Sequence, residues 1–314
     1  MHASSVLQAH SRLDQPIVHL TIVVTAIMFA ILVLVVFLVV FASIRFRARA
    51  GMAEPYQNFG NKKLEITWTV LPFLLLVSIF VLTVITMGDS DPPPTSINGA
   101  DPSPDLIIIG HQFWWEVRYP KAGVTTANEI HLPAGQRLLA RLEAADVIHD
   151  FWVPELGRKM DMIPGTPNEM WLLADHPGTF LGTCAEFCGN EHAWMRIRVI
   201  SQSPQDFAVW EQEQAQAAMA PTSPAALRGE LLFRTMSCAN CHAIRGVSSA
   251  DVGPDLTHIA SRETLAAGRL ENNPVNLEAW LHDPNNFKPQ SYMPNLNLKP
   301  DDLSAMVAYL ETLR

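Results

Sequence analysis

Two long runs without a formal charge dominate the N-terminal quarter of the chain. Gln15 to Ile44 and Ile66 to Gly88 carry no Asp, Glu, Lys or Arg. At about 1.5 Å per helical residue, each run is long enough to cross a hydrocarbon core of roughly 30 Å. Uncharged runs of this length rarely occur in soluble domains, so they are expected to form a transmembrane hairpin rather than a pair of buried globular helices. The loop between them holds Arg45, Arg47, Arg49, Lys62 and Lys63 against Glu54 and Glu65. By the positive-inside rule that loop faces the cytoplasm, so both termini and everything after about Met87 lie outside it. The segment before Pro16 lacks the basic start, short apolar stretch and cleavage site of a signal peptide.

The remaining residues change texture twice. Asp89-Ser-Asp-Pro-Pro-Pro-Thr reads as a stiff exit from the membrane. From Asp105, short β-like runs follow one another at Leu106–Ile109, Phe113–Tyr119, Arg137–Leu142, Val147–Val153, Asn168–Leu173 and Trp194–Ile200, broken by Pro, Gly and Asn clusters. That spacing predicts a β-sandwich or barrel. Ser203 and Pro204 open a helix as N-cap and first residue. Ala215 to Ala226, rich in Ala, Gln, Pro and Ser, reads as a linker. Helical texture returns over Ala226–Met236, Asn276–His282 and Asp301–Leu313. The expected organisation is multidomain: a hairpin over 1–89, an all-β domain over 90–214, a linker over 215–224 and an all-α domain over 225–314. Acidic residues exceed basic ones by nine over the chain, and residues 90–224 are the acidic part, with seventeen Asp/Glu against eight Lys/Arg. An acidic external face excludes nucleic acid as a natural partner and would attract a basic protein.

Four cysteines fall in two pairs: Cys184 with Cys188, and Cys238 with Cys241. In an oxidising compartment the default is two disulfides, but the neighbours of each pair point elsewhere. Cys184-Ala-Glu-Phe-Cys188-Gly-Asn-Glu-His192-Ala-Trp-Met195 places two thiols, an imidazole and a thioether within twelve residues. These soft donors suit copper; a structural zinc site has little use for Met. Cys238-Ala-Asn-Cys241-His242 is a Cys-x-x-Cys-His haem attachment pattern, and Tyr292-Met293-Pro-Asn follows about fifty residues later.

The copper pattern resembles the dinuclear copper (CuA) loop of cytochrome c oxidase subunit II. Val147-Ile-His149-Asp-Phe-Trp-Val-Pro, Gly110-His-Gln-Phe-Trp-Trp, Met160-Asp-Met-Ile-Pro-Gly and Leu64-Glu-Ile-Thr-Trp-Thr-Val-Leu-Pro are similar to other signatures of that family, over roughly residues 15–214. The resemblance implies a cupredoxin-like barrel in which Cys184 and Cys188 bridge two copper ions. It also implies one imidazole each from His149 and His192, with Met195 and the Glu186 carbonyl as weak ligands. The Glu186 side chain would reach a magnesium ion at the interface with the catalytic subunit. Glu65 matches the family glutamate at the mouth of a proton channel. Phe113 stands where the family has the Trp through which electrons arrive from soluble cytochrome c, followed by Trp114 and Trp115.

Residues 225–314 resemble class I cytochrome c, which implies thioether bonds from Cys238 and Cys241 to haem and axial ligation by His242 and Met293. Such a ligand pair raises the iron potential. Gly253-Pro254-Asp-Leu is similar to the loop beside that family's proximal histidine. The fusion resembles caa-type bacterial oxidases of the inner or plasma membrane. Electrons would pass from an external donor, a cytochrome c or a quinol-cytochrome c reductase complex, through haem c and CuA to subunit I, where dioxygen is reduced and protons are pumped. Other oxidase subunits and membrane lipid are further expected partners. Two alternatives stay open on the residues alone: a subunit of a nitric oxide reductase, and a stand-alone membrane redox or copper protein. His111, His131, His176, His258 and His282, with Met236 and Met306, are expected to be packing or surface residues.

Overall fold

A computed structural model describes residues 5–49, 51, 54, 56–57, 59–90 and 103–314. The chain divides into two compact units, residues 15–91 and the remainder.

The first unit is a helical hairpin. Helix α1 spans Gln15–Arg45 and α2 spans Lys62–Asp89, and the two touch each other. Both are apolar all round, the pattern of a helix that meets lipid rather than water. Asn61 caps α2 by accepting from Lys63 N and Leu64 N. Glu65 answers by accepting from Asn61 N at 3.2 Å, so three free donors at the helix start are satisfied reciprocally. Pro72 lies inside α2. The Pro-rich stretch expected at the membrane exit falls largely outside the described residues.

In the second unit, ten strands among the described residues form two five-stranded sheets. They are β1 (Leu106–His111), β2 (Trp114–Tyr119), β3 (Val124–Ala127), β4 (Glu129–Pro133), β5 (Leu138–Ala144), β6 (His149–Trp152), β7 (Met160–Met162), β8 (Asn168–Leu172), β9 (Gly178–Cys184) and β10 (Arg196–Gln202). The orders are β3-β2-β1-β5-β8 and β4-β10-β9-β6-β7. Inward residues from both sheets, including Ile108, Trp115, Ile130, Leu142, Phe151 and Val199, make one buried core. The six expected strands are present within a few residues; β3, β4, β7 and β9 are additional.

Helix α3 (Pro204–Gln214) begins at Ser203, whose hydroxyl accepts from Asp206 N, and α4 (Pro224–Thr235), α5 (Pro274–His282) and α6 (Pro300–Leu310) follow. Helices α4 and α6 cross at Gly229, where an added Cβ would lie 2.1 Å from Ala305 O. Phe233, Met306, Tyr309 and Leu310 fill the small core beneath that crossing.

The linker segment differs from a free spacer. Arg245 donates to Ala215 O and Gln216 O and to Gly123 O of the sandwich. The helical domain is therefore packed on the sheets. Glu129 on β4 accepts from Glu263 N, Thr264 N and the Thr264 hydroxyl. Arg262 donates to Thr126 Oγ1, and Lys288 donates to Phe113 O.

Candidate metal and haem sites

The first site lies where β6 and β9 end together. Their register sets Phe151 opposite Cys184, and His149 is two residues from Phe151, so it shares that strand face. After Cys184 the chain turns through Gly189 at φ +132°, makes a short helical turn over His192–Trp194 and returns as β10. Cys184 N donates to Met195 O at 3.0 Å, closing this loop and setting Met195 beside the thiols.

Inside the loop Cys184 Sγ and Cys188 Sγ are 3.8 Å apart, and both cysteines are free. Cys184 Sγ is 3.8 Å from His149 Nδ1, and Cys188 Sγ is 3.7 Å from His192 Nδ1 and 3.8 Å from Met195 Sδ. The Glu186 carbonyl lies 3.2 Å from Cys184 Sγ, whereas the Glu186 side chain is exposed. The arrangement is two-sided, with a thiol pair in the middle and a histidine at each end.

Second contacts aim these donors. His149 Nε2 donates to Asp146 Oδ1 at 2.8 Å, which leaves Nδ1 with its lone pair toward Cys184. Burial opposes ionisation of Asp146, but hydrogen bonds from His149, Gln112 N and Val147 N outweigh it and hold the carboxyl below its usual range. Gly110 on β1 gives the imidazole room, since a Cβ there would meet the His149 ring at 2.7 Å. Asp146 and Gly110 carry no ligand atom and were not singled out for this role by sequence reasoning; only the paired strands reveal it.

The donor chemistry fits copper. Two thiolates about 2.3 Å from a shared ion can lie up to about 4.6 Å apart, which accommodates the observed gap; a disulfide at about 2.05 Å does not. The contact from Cys188 holds the Cys184 thiol down at about 3, and the same contact pushes Cys188 up. To ligate a metal, both sulfurs would have to be thiolates.

The second site is a cavity in the helical domain, with Cys238, Cys241, His242 and Met293 among its lining residues. Its other walls are mostly apolar, including Phe233, Leu265, Met306 and Leu310. His242 Nδ1 donates to Pro254 O at 2.8 Å, so Nε2 is the free ligand atom. Burial pushes the imidazole down, toward the neutral form a metal needs. A Cβ at Gly253 would meet the His242 ring at 2.7 Å, so this glycine too cradles a histidine. Two free thiols, one ligand-ready imidazole and a thioether round an apolar cavity suit a haem attached through both sulfurs.

The sandwich supplies part of that cavity wall through Gln112, Phe113, Trp114 and Asn128. Phe113 packs 5.6 Å from Tyr292. Trp114 stacks on His111 at 4.2 Å, while Trp115 is fully buried, 6.1 Å from the His149 ring. Among the histidines read as packing residues, His131 stacks on Trp210 at 4.1 Å and burial pushes it down to about 4. His258 is also buried, while His176 and His282 are exposed. Met306 is a core residue. Glu65 lies in the other unit and belongs to neither site.

Three stretches match known families. Residues 3–84 match "Cytochrome C oxidase subunit II, transmembrane domain", residues 122–202 match "Cytochrome C oxidase subunit II, periplasmic domain" and residues 226–314 match "Cytochrome c". Cytochrome c oxidase subunit 2 of Alkalihalophilus pseudofirmus is 40% identical over 275 residues, covering 86% of this chain and 79% of that protein. The subunit 2 of Bacillus subtilis is 36% identical over 313 residues, covering 94% and 87%. Among solved structures, the periplasmic domain of subunit II of cytochrome oxidase from Bradyrhizobium japonicum is 30% identical, with a TM-score of 0.35, covering 37% of this chain and 95% of that one.

Proposed function

The chain belongs to the cytochrome c oxidase subunit II family, and from that premise we propose specific roles for the residues of its two sites. The protein is an electron-transfer subunit of the oxidase, and it works beside subunit I in a haem-copper complex of the membrane. Copper and haem follow from the family. Cys184, Cys188, His149 and His192 would hold a dinuclear copper centre, with Met195 and the Glu186 carbonyl as weaker donors. Cys238 and Cys241 would attach the haem, and His242 and Met293 would ligate its iron.

The observation that carries the copper reading is the symmetric set of sulfur-to-donor distances about the Cys184–Cys188 pair. When bound, the copper pair supplies one-electron redox chemistry. The chain's own residues hold the donors rigidly: Asp146 fixes the His149 ring, and the Cys184–Met195 backbone bond fixes the loop. Rigid ligands leave little geometry to change on reduction.

Both redox domains are assigned to the outer side of the membrane, where a cytochrome c or a quinol-cytochrome c reductase complex can deliver electrons. The basic residues of the α1–α2 loop support this orientation. Magnesium at the Glu186 side chain rests on the resemblance alone. Glu65 as a proton inlet has the same basis, with a structural role already visible in its bond to Asn61 N. Glu65→Gln separates the two, because an amide oxygen still accepts that bond but cannot ionise. The expected outcome is an intact subunit with slower turnover; wild-type turnover would leave Glu65 as a helix cap only.

Metal analysis tests the main reading. The purified full-length chain should hold two copper ions and one haem, and zinc or a single copper would overturn it. Cys188→Ser should abolish the dinuclear signal in electron paramagnetic resonance, since a bridge is lost. Met195→Leu should keep it with an altered spectrum. Wild-type spectra from both variants would refute the ligand assignment.

A further inference from the structure

Gln112 lies between the two sites and touches both. It sits in the turn between β1 and β2. Its backbone N–H donates to Asp146 Oδ2 at 2.6 Å, and the other oxygen of that carboxylate holds His149. Its side-chain Nε2 donates to the Cys188 carbonyl at 2.5 Å. Its Oε1 accepts from the Tyr292 hydroxyl at 3.1 Å, and Met293 is the next residue along the chain. The orientation of the amide is fixed by chemistry: a backbone carbonyl can only accept, so the NH₂ must face Cys188 and the oxygen must face the phenol.

Gly189 permits the approach. A Cβ there would lie 3.0 Å from Gln112 Nε2 and 3.0 Å from the Phe113 ring. A side chain at residue 189 would press on Gln112 and Phe113, so glycine there eases the approach of the copper loop. On the other side, Lys288 anchors the helical domain by donating to Phe113 O at 2.9 Å. The Tyr292–Met293 turn is thus held over Gln112 by the Tyr292 hydroxyl and, four residues earlier, by Lys288. Two hydrogen bonds separate Tyr292 from the backbone of a bridging cysteine.

The aromatic residues offer a poorer connection. Phe113 meets Tyr292 only by ring packing. Trp114 is turned onto His111, and Trp115 lies inside the sandwich core.

We propose that Tyr292 and Gln112 form the coupling route between the haem-binding and copper-binding sites, with Gln112 as the positioning residue that ties the Met293 turn to the Cys188 loop. This deepens the copper-and-haem reading and rests on it. With both groups bound, the haem would be oxidised by one electron and the copper pair reduced by it. Tyr292 and Gln112 are neither oxidised nor deprotonated, and the two hydrogen bonds serve only to couple donor with acceptor. A polarised chain of this kind couples its ends better than the same atoms left unbonded.

The test uses the full-length chain in its oxidase complex, with copper and haem contents verified first. A photoexcited ruthenium complex reduces the haem, and haem and copper absorbances are followed separately. Tyr292 is 70% exposed, so Tyr292→Phe removes the hydroxyl with little effect on packing. It should slow interdomain transfer several-fold while both spectra and both midpoint potentials stay at wild-type values. Gln112→Glu keeps an acceptor for Tyr292 but loses the donor to Cys188 O, so it should slow transfer and also shift the copper potential. Wild-type transfer in Tyr292→Phe would overturn the proposal, and so would slowing in Phe113→Leu without slowing in Tyr292→Phe. A wild-type complex lacking copper or haem would defeat the underlying reading, and this proposal with it.

Discussion

Gly110 shows how narrowly the copper site is set at the residue scale. His149 is fully buried, its Nε2 is committed to Asp146, and the ring lies directly over the Gly110 Cα. Gly110→Ala would put a methyl group 2.7 Å from a ring carbon, so the imidazole must tilt or β1 must retreat. Disturbing the support of a ligand typically costs roughly ten- to a hundredfold in metal affinity. Copper titration of Gly110→Ala should show a loss of that order, with an unchanged haem spectrum as internal control; wild-type affinity would mean that the ring relaxes freely. The candidate donors were legible because two thiols, an imidazole and a thioether fall within twelve residues. His149, thirty-five positions before Cys184, was assigned through family resemblance. Gly110 acts through strand pairing, which leaves no local pattern to read.

At the scale of elements, caps and crossings decide how the helical domain closes. Ser223 accepts from Ala226 N at the start of α4, and Asn273 accepts from Asn276 N at the start of α5. Gly229 lets α4 lie against α6. A Cβ there would meet the Ala305 carbonyl, a backbone atom that cannot rotate away. Overpacking of this kind costs about 1–3 kcal/mol, so Gly229→Ala should lower the melting temperature of the cytochrome domain by about 10 °C. A melting point within a degree or two of the wild type would show that the helices slide apart cheaply. Polar-to-apolar punctuation made the helices and six strands readable in advance. Strands β3 and β4 escaped because Val124–Pro133 is short and split by Asn128 and Glu129; pairing with β2 and β10 extends them. Segment 215–224 has the composition of a spacer, yet its carbonyls are gripped by Arg245. Main-chain acceptors leave no trace in composition, so a docked linker and a free one read alike.

At the scale of the whole molecule, docking of the cytochrome domain on the sandwich is what a loosely tethered carrier would lack, and Glu129 is central to it. Its carboxylate is 1% exposed and caps the backbone of Glu263 and Thr264 across the interface. Arg262 is the nearby cation, and the Glu263 side chain is turned to Arg198. Burial raises the Glu129 pKa from its ordinary 4.5, and the hydrogen bonds from Thr264 and Glu263, with the Arg262 charge, only partly offset that. The docked state therefore binds more protons than an undocked state in which Glu129 meets water. Linkage then fixes the sign: docking is firmest below the ordinary glutamate value, weakens as pH rises toward the raised one and is weakest above it. Glu129→Gln keeps an oxygen to accept from Thr264 N but cannot ionise, so it should hold the domain with no pH dependence from this site. Glu129→Ala leaves the Glu263 and Thr264 N–H groups and the Thr264 hydroxyl without their partner, a penalty of about 1–3 kcal/mol for each buried group left unsatisfied. Protease cleavage within 215–223, followed across pH, should rise with pH in the wild type, stay flat in Glu129→Gln and be high throughout in Glu129→Ala. Equal pH profiles in wild type and Glu129→Gln would assign the dependence to another group, and protection in Glu129→Ala would show that Arg245 and Lys288 hold the domain without the acid.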